Sequence, residues 1–115
     1  MDKEYENLQF AENEFFRAYS LALKTAGSNK GTIARVENIR AESDQKESEL
    51  YAELQDGIKA AGVQASQSAT RDDLEQKRDD EIEKDIERLR KQYATRKTAV
   101  LEAATIKLRA VALGR

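Results

Sequence analysis

The sequence predicts an all-α, elongated chain, and three observations carry that prediction. No proline occurs in 115 residues, so nothing interrupts the helical hydrogen-bond ladder at any position. Glu, Lys, Ala, Gln, Arg and Leu are abundant, which raises helix propensity almost throughout. Apolar residues recur at spacings of three and four, whereas no sustained alternation of β-branched and aromatic residues marks a strand. A composition of 37% charged, 39% hydrophobic and 6% aromatic residues suits long solvated helices forming one domain, residues 1–115.

The first helix is predicted over 3–26. Tyr5, Leu8, Glu12, Phe15, Tyr19, Ala22 and Ala26 recur at helical spacing, with Phe16 and Leu23 widening the stripe. Five of the chain's seven aromatics lie in this segment, read as core packing or as an anchor for a partner. The run Gly27-Ser-Asn-Lys-Gly31 then breaks the pattern. Gly27 can adopt the positive φ that closes a helix, and Ser28 or Thr32 can cap the next one. Its spacing fits no phosphate-binding loop.

The second helix is predicted over 32–58. Ile33, Val36, Leu50, Leu54, Ile58 and Ala61 fit a heptad seam, but Arg40, Ser43 and Glu47 occupy its middle. That polar gap is either solvated or met by a partner of complementary charge. Residues 57–69, with Gly57, Gly62 and a run of small polar residues, form the weakest helical stretch and the expected turn. Thr70 with Asp73 resembles a capping box.

The third helix, 70–113, extends roughly 65 Å at 1.5 Å per residue. Its first half, 71–91, holds sixteen charges of mixed sign, a salt-laced solvated shaft with expected pairs Lys77–Glu81, Asp80–Lys84 and Glu87–Lys91. Adjacent carboxylates such as Asp79 and Asp80 splay about 100° apart, so they do not converge on a metal. The apolar seam runs Leu74, Ile82, Ile86, Leu89, Tyr93, Leu101, Ala104, Leu108 and Val111, interrupted by Arg78 and Lys97. Between Ala99 and Leu113 more than one face is apolar.

Two arrangements follow. In a helical hairpin, a coiled coil with a kink near 27–31, residues 3–56 run one way, the chain turns near 57–69, and 70–113 returns. Matching lengths favour it, and it sets the acidic N-terminal helix (five acids, two bases over 1–23) beside the basic C-terminal turns (five bases, one acid over 92–115). The alternative is a three-helix bundle with a projecting C-terminal helix, roughly 20 Å of it uncovered.

With no Cys and no His, thiol chemistry, disulfides and imidazole or thiolate metal ligation are excluded. No nucleophile stands beside a base, so no enzyme activity, cofactor or metal is expected. A net charge of −2 argues against a nucleic-acid partner. The N-terminus has no basic-then-apolar leader and no run spans a bilayer, which makes the cytoplasm the expected location, peripheral to a membrane complex at most. Lys107, Arg109 and Arg115 beside Ile106, Leu108 and Leu113 are amphipathic enough to raise membrane-surface binding as a minor expectation.

The run Glu81-Ile-Glu-Lys-Asp-Ile-Glu-Arg-Leu-Arg-Lys-Gln-Tyr-Ala-Thr-Arg-Lys-Thr-Ala-Val-Leu-Glu-Ala103 resembles the C-terminal part of the small peripheral-stalk subunits of V-type and archaeal-type ATPases. Those also carry charged helix with isoleucines and leucines, an Arg-Lys step and an Ala-Val-rich end. The first 60 residues depart from that family's Ala- and Glu-rich start. The resemblance implies a stator, a helix paired with a larger stalk subunit, with Ile82, Ile86, Leu89, Leu101 and Leu108 as contacts.

The expected function is that of a structural coiled-coil subunit that spaces or clamps protein partners, or self-associates, through helical stripes. A helical-hairpin adaptor, export chaperone or secretion-associated protein is the alternative. The candidate partner contacts are Phe15, Phe16, Tyr19, Ile82, Ile86, Leu89, Tyr93, Leu101, Leu108 and Val111.

Overall fold

The computed structural model describes the backbone of residues 2–68 and 72–114, and the side chains of 2–62 and 79–114. Three helices follow in order: α1 (Lys3–Ala26), α2 (Lys30–Ser68) and α3 (Asp72–Ala112). The molecule is elongated, 66 × 25 × 15 Å, as an all-α chain of long helices requires.

The break at Gly27 is a reversal rather than a kink. Gly27 takes φ 57° and donates its N–H to the Leu23 carbonyl at 3.2 Å, a positive φ that costs glycine little. Asn29 donates back to Ala26 at 3.0 Å, and its side-chain oxygen accepts the Thr32 N–H at 3.0 Å. Asn29 is thus the N-cap of α2, a role the sequence assigned to Ser28 or Thr32; it stands one residue before Lys30, and Thr32 supplies the third N–H of the helix. A continuous 3–56 strut would alone approach 80 Å, longer than the whole molecule.

Helix directions follow from the cross-contacts. Tyr19 meets Glu37 and Arg40, so α1 and α2 are antiparallel. Glu42 pairs with Lys107, Glu53 with Arg96, and Gly57 lies against Leu89, so α2 and α3 are antiparallel too. Asp2 pairs with Lys91 and Glu14 with Arg109, which sets α1 parallel to α3. This up-down-up order is the bundle of the two expected arrangements. The first residues of α1 sit beside residues 87–91, so α3 runs on past it for about fifteen residues, roughly 22 Å. Here α2 also continues, through Gly57 and Gly62 to Ser68. The turn therefore does not fall within 57–68, and the Thr70 cap lies outside the described residues.

The core joins all three helices at the closed end: Ala18 and Ala22 from α1, Val36 and Ile39 from α2, and Ala104, Leu108 and Val111 from α3, with Phe15, Tyr19 and Leu23 packed against it. Val36 and Leu108 are wholly buried. On α1 the buried stripe is Ala11, Ala18, Ala22 and Ala26; these small side chains let the helix axes approach, and the aromatics flank the contact. Glu12, placed in the stripe by spacing, is exposed.

Buried polar groups in α3 are satisfied within the helix. The Thr98 and Thr105 hydroxyls donate to the carbonyls of Ala94 and Leu101, each at 2.7 Å. Ser43 on α2 is buried, and its hydroxyl has no hydrogen-bond partner among the described residues.

Candidate partner-binding surfaces

The ten candidate contacts separate into three groups. Leu101, Leu108 and Val111 are buried in the chain's own core, so their apolar surface is consumed intramolecularly. Phe15 and Tyr19 are half-buried over that core, their rings nearly parallel at 6.4 Å. The Tyr19 hydroxyl donates to Glu37 at 2.6 Å and accepts from Arg40 at 3.0 Å, while the Arg40 guanidinium lies 4.8 Å from the ring centroid. Part of the expected polar gap on α2 is thereby met by α1. Phe16 is exposed.

Ile82 and Ile86 are half-buried along the stretch of α3 that runs past α1, and Leu89 and Tyr93 are half-buried where α1 begins. Leu89 rests over Gly57, whose missing side chain makes room for it. Tyr93 meets Tyr51 edge-on at 6.1 Å, with the Lys97 ammonium 5.9 Å from its ring centroid.

The largest uncovered apolar side chains are mostly others: Phe10 (67% exposed), Ile106 (67%) and Leu113 (70%), with Leu21 and Tyr51 about half exposed. Phe10 and Ile106 flank an open groove between α1 and α3 whose other walls include Glu14, Glu102, Thr105 and Arg109. Leu21 lies three turns past Phe10 and Leu113 two turns past Ile106, so each pair shares one side of its helix. Heptad spacing from Ile106 to Leu113 was the signal that could have found the second pair. It belongs to the second apolar face expected between Ala99 and Leu113.

The charged surface is built from pairs between helices. Glu14 bridges Arg109 at 2.5 Å and also Arg17 at 3.2 Å, joining the acidic N-terminal helix to the basic last turns of α3. Lys91 reaches Asp2 at 3.4 Å, and Glu87 accepts from the Tyr5 hydroxyl at 2.9 Å. These contacts replace the expected Glu87–Lys91 pair, because the start of α1 brings partners to both residues. Asp80 and Lys84 do not pair, and Arg88 meets Asp85 at 3.6 Å instead; Lys77 lies outside the residues whose side chains are described. Partial desolvation, and then the Glu87 carboxylate, hold the Tyr5 phenol above its ordinary pKa. Exposed pairs of this kind each contribute under about 1 kcal/mol, so they fix register more than stability.

Among the described residues no group of three or more carboxylates converges to hold a metal ion, and no helix is long and apolar enough to cross a membrane. No protein-family model matches the chain, and no curated protein or solved structure is significantly similar to it.

Proposed function

We propose that this chain is a non-enzymatic structural subunit, a rigid helical frame that spaces or clamps protein partners in a larger assembly. The observation that supports it is the apolar surface left uncovered on a 66 Å frame: Phe10, Phe16, Leu21, Tyr51, Ile106 and Leu113. Exposed side chains of this size, where they gather on one face, mark interaction surfaces in small proteins. The arm formed by 57–68 and 72–86 adds reach, with Ile82 and Ile86 half-buried along it.

A rotary-ATPase peripheral stalk is the narrower form of this reading, and it rests on the resemblance of residues 81–103. Within it, Ile82 and Ile86 are the surface a larger stalk subunit would meet, because Leu101 and Leu108 are already covered by α1 and α2.

The test is in-cell cross-linking followed by purification of the tagged chain and mass-spectrometric identification. A stoichiometric protein partner, cross-linked at lysines of the arm or of the α1/α3 face, is expected. A chain recovered without any cross-linked neighbour, itself included, sinks the reading.

A further inference from the structure

The end of α3 carries two seams. Leu101, Ala104, Leu108 and Val111 face the core. Ala99, Glu102, Ile106, Arg109 and Leu113, spaced three, four, three and four, are all exposed and lie about 200° around the helix. This outer stripe is symmetric about Ile106. Ala99 and Leu113 stand seven residues to either side, and Glu102 and Arg109 stand four before and three after. Glu102 makes no ion pair among the described residues, while Arg109 is half-exposed despite its bridge to Glu14. Phe10 of α1 joins the stripe at the groove it shares with Glu102 and Ile106.

We propose that a second copy of this chain covers this face, the two α3 helices crossing antiparallel about a two-fold axis at Ile106. That pairing sets Ile106 against its own counterpart and brings Glu102 of each copy within reach of Arg109 of the other. It lays Leu113 over the small Ala99, beside Phe10. A two-fold interface has to be self-complementary, and this stripe is so in charge and in size. Phe10, Ile106 and Leu113, each about two-thirds exposed, contribute roughly 400 Å² of apolar surface per copy, so with the flanking charged residues the seam approaches the ~800 Å² per partner of a stable interface. The face carries an acid, Glu102, as well as a base, Arg109, which suits a protein seam better than an anionic lipid surface. The inference rests on the structural-subunit reading and names the occupant of one of its surfaces.

Sedimentation equilibrium of the full chain across the micromolar range tests it. The wild-type chain is expected to dimerise, and Glu102→Arg and Arg109→Glu, each made alone, to weaken self-association by about tenfold or more, because each sets like charges across the axis. An equimolar mixture of the two variants restores pairing. In the mixed dimer one cross-axis contact keeps its salt bridge with the charges exchanged between the copies, and the other contact stays native. Should Arg109→Glu lose helicity beside Glu14, Ile106→Asp, at a site outside the core, serves instead and is expected to leave a helical monomer. A monomeric wild-type chain, a dimer indifferent to these changes, or a mixture that fails to rescue folded variants overturns the proposal. So does a monomer that co-sediments with anionic vesicles through Ile106. A monomer that still cross-links to another protein in cells would overturn the dimer and leave the subunit reading standing.

Discussion

At the closed end α3 is covered on two sides, by α1 and α2, whereas along 57–68 and 72–86 it has α2 alone. The helices are equally regular in both regions, so the difference is not one of backbone. In the base, Leu108 and Val36 are wholly buried; Leu89, where α1 begins, and Ile82 and Ile86 beyond it reach only partial burial. A helix pair can shield one stripe per helix, and a third helix is needed to close the sides. Length beyond α1 therefore adds reach while contributing little cohesion, and the free energy of local opening should fall from base to tip.

The sharpest test of that gradient compares two leucines of one helix. Leu108→Ala empties a fully closed site and is expected to cost about 3 kcal/mol, while Leu89→Ala, at a partly exposed site over the bare backbone of Gly57, is expected to cost about 1.5 kcal/mol. Urea denaturation of the two variants measures both. Equal losses would mean that α3 is packed as tightly at the root of the arm as at the closed end, and the contrast would fail.

The arm's glycines probe the same gradient from the other side. A side chain at Gly62 meets nothing within 4 Å, so Gly62→Ala should stabilise the arm by about 1 kcal/mol through helix propensity alone. At Gly57 a Cβ would stand 3.1 Å from a Leu89 methyl. Leu89 is only half-buried and can yield, so Gly57→Ala is expected to gain less than Gly62→Ala, yet still to gain. Amide exchange in 57–62 should slow about fivefold for Gly62→Ala while exchange in the Val36 and Leu108 segments stays unchanged. Slowing spread over the whole chain would show that base and arm open as one unit.

The glycines also show where sequence stops short of structure. The helical content, the bounds of α1 and the break after Ala26 were legible, because periodicity and one positive-φ glycine determine them locally. The end of α2 was not. Gly57 and Gly62 together cost about 2 kcal/mol of propensity, and packing of Leu54 and Leu89 across the pair outweighs it. Whether Gly27 to Gly31 kinks or reverses the chain is equally invisible locally, since the same residues serve both. The decision lies in Ala11, Ala18, Ala22 and Ala26, which bury α1 against α3 only if the chain turns back. The predicted stripe named Ala22 and Ala26, but ranking residues by size pointed to the aromatics and left Ala11 and Ala18 unnoticed. For the candidate surfaces, Ile82 and Ile86 lie on the predicted seam and Ile106 and Leu113 on the second apolar face expected between 99 and 113, whereas Phe10 and Leu21 lie off the stripe that the pattern suggested.

Within the base, Tyr19 tests how much of the α1–α2 contact is polar. Its hydroxyl links Glu37 and Arg40 at the molecular surface, so Tyr19→Phe should keep the ring over the core and cost only about 0.5 kcal/mol. A loss above about 1.5 kcal/mol in the same urea assay would make this network, rather than the apolar core around Val36 and Ile39, the main tie between α1 and α2.

The smallest expected effect belongs to Glu47, half-buried within the base. Burial raises its pKa above the ordinary carboxylate value; Asp44 and Glu12 add to the rise, and Lys97 opposes it. The folded chain therefore holds this proton at a pH where the unfolded chain has released it. Between the two pKa values stability falls as pH rises, and the penalty is complete above the folded value and absent below the unfolded one. Glu47→Gln removes that penalty. The variant is expected to melt slightly above the wild-type chain at neutral pH, and the gap to close as pH falls through the carboxylate range. Thermal midpoints of both chains across that range measure it; a gap independent of pH would mean that the carboxylate is fully hydrated and that the bundle is already open at this level.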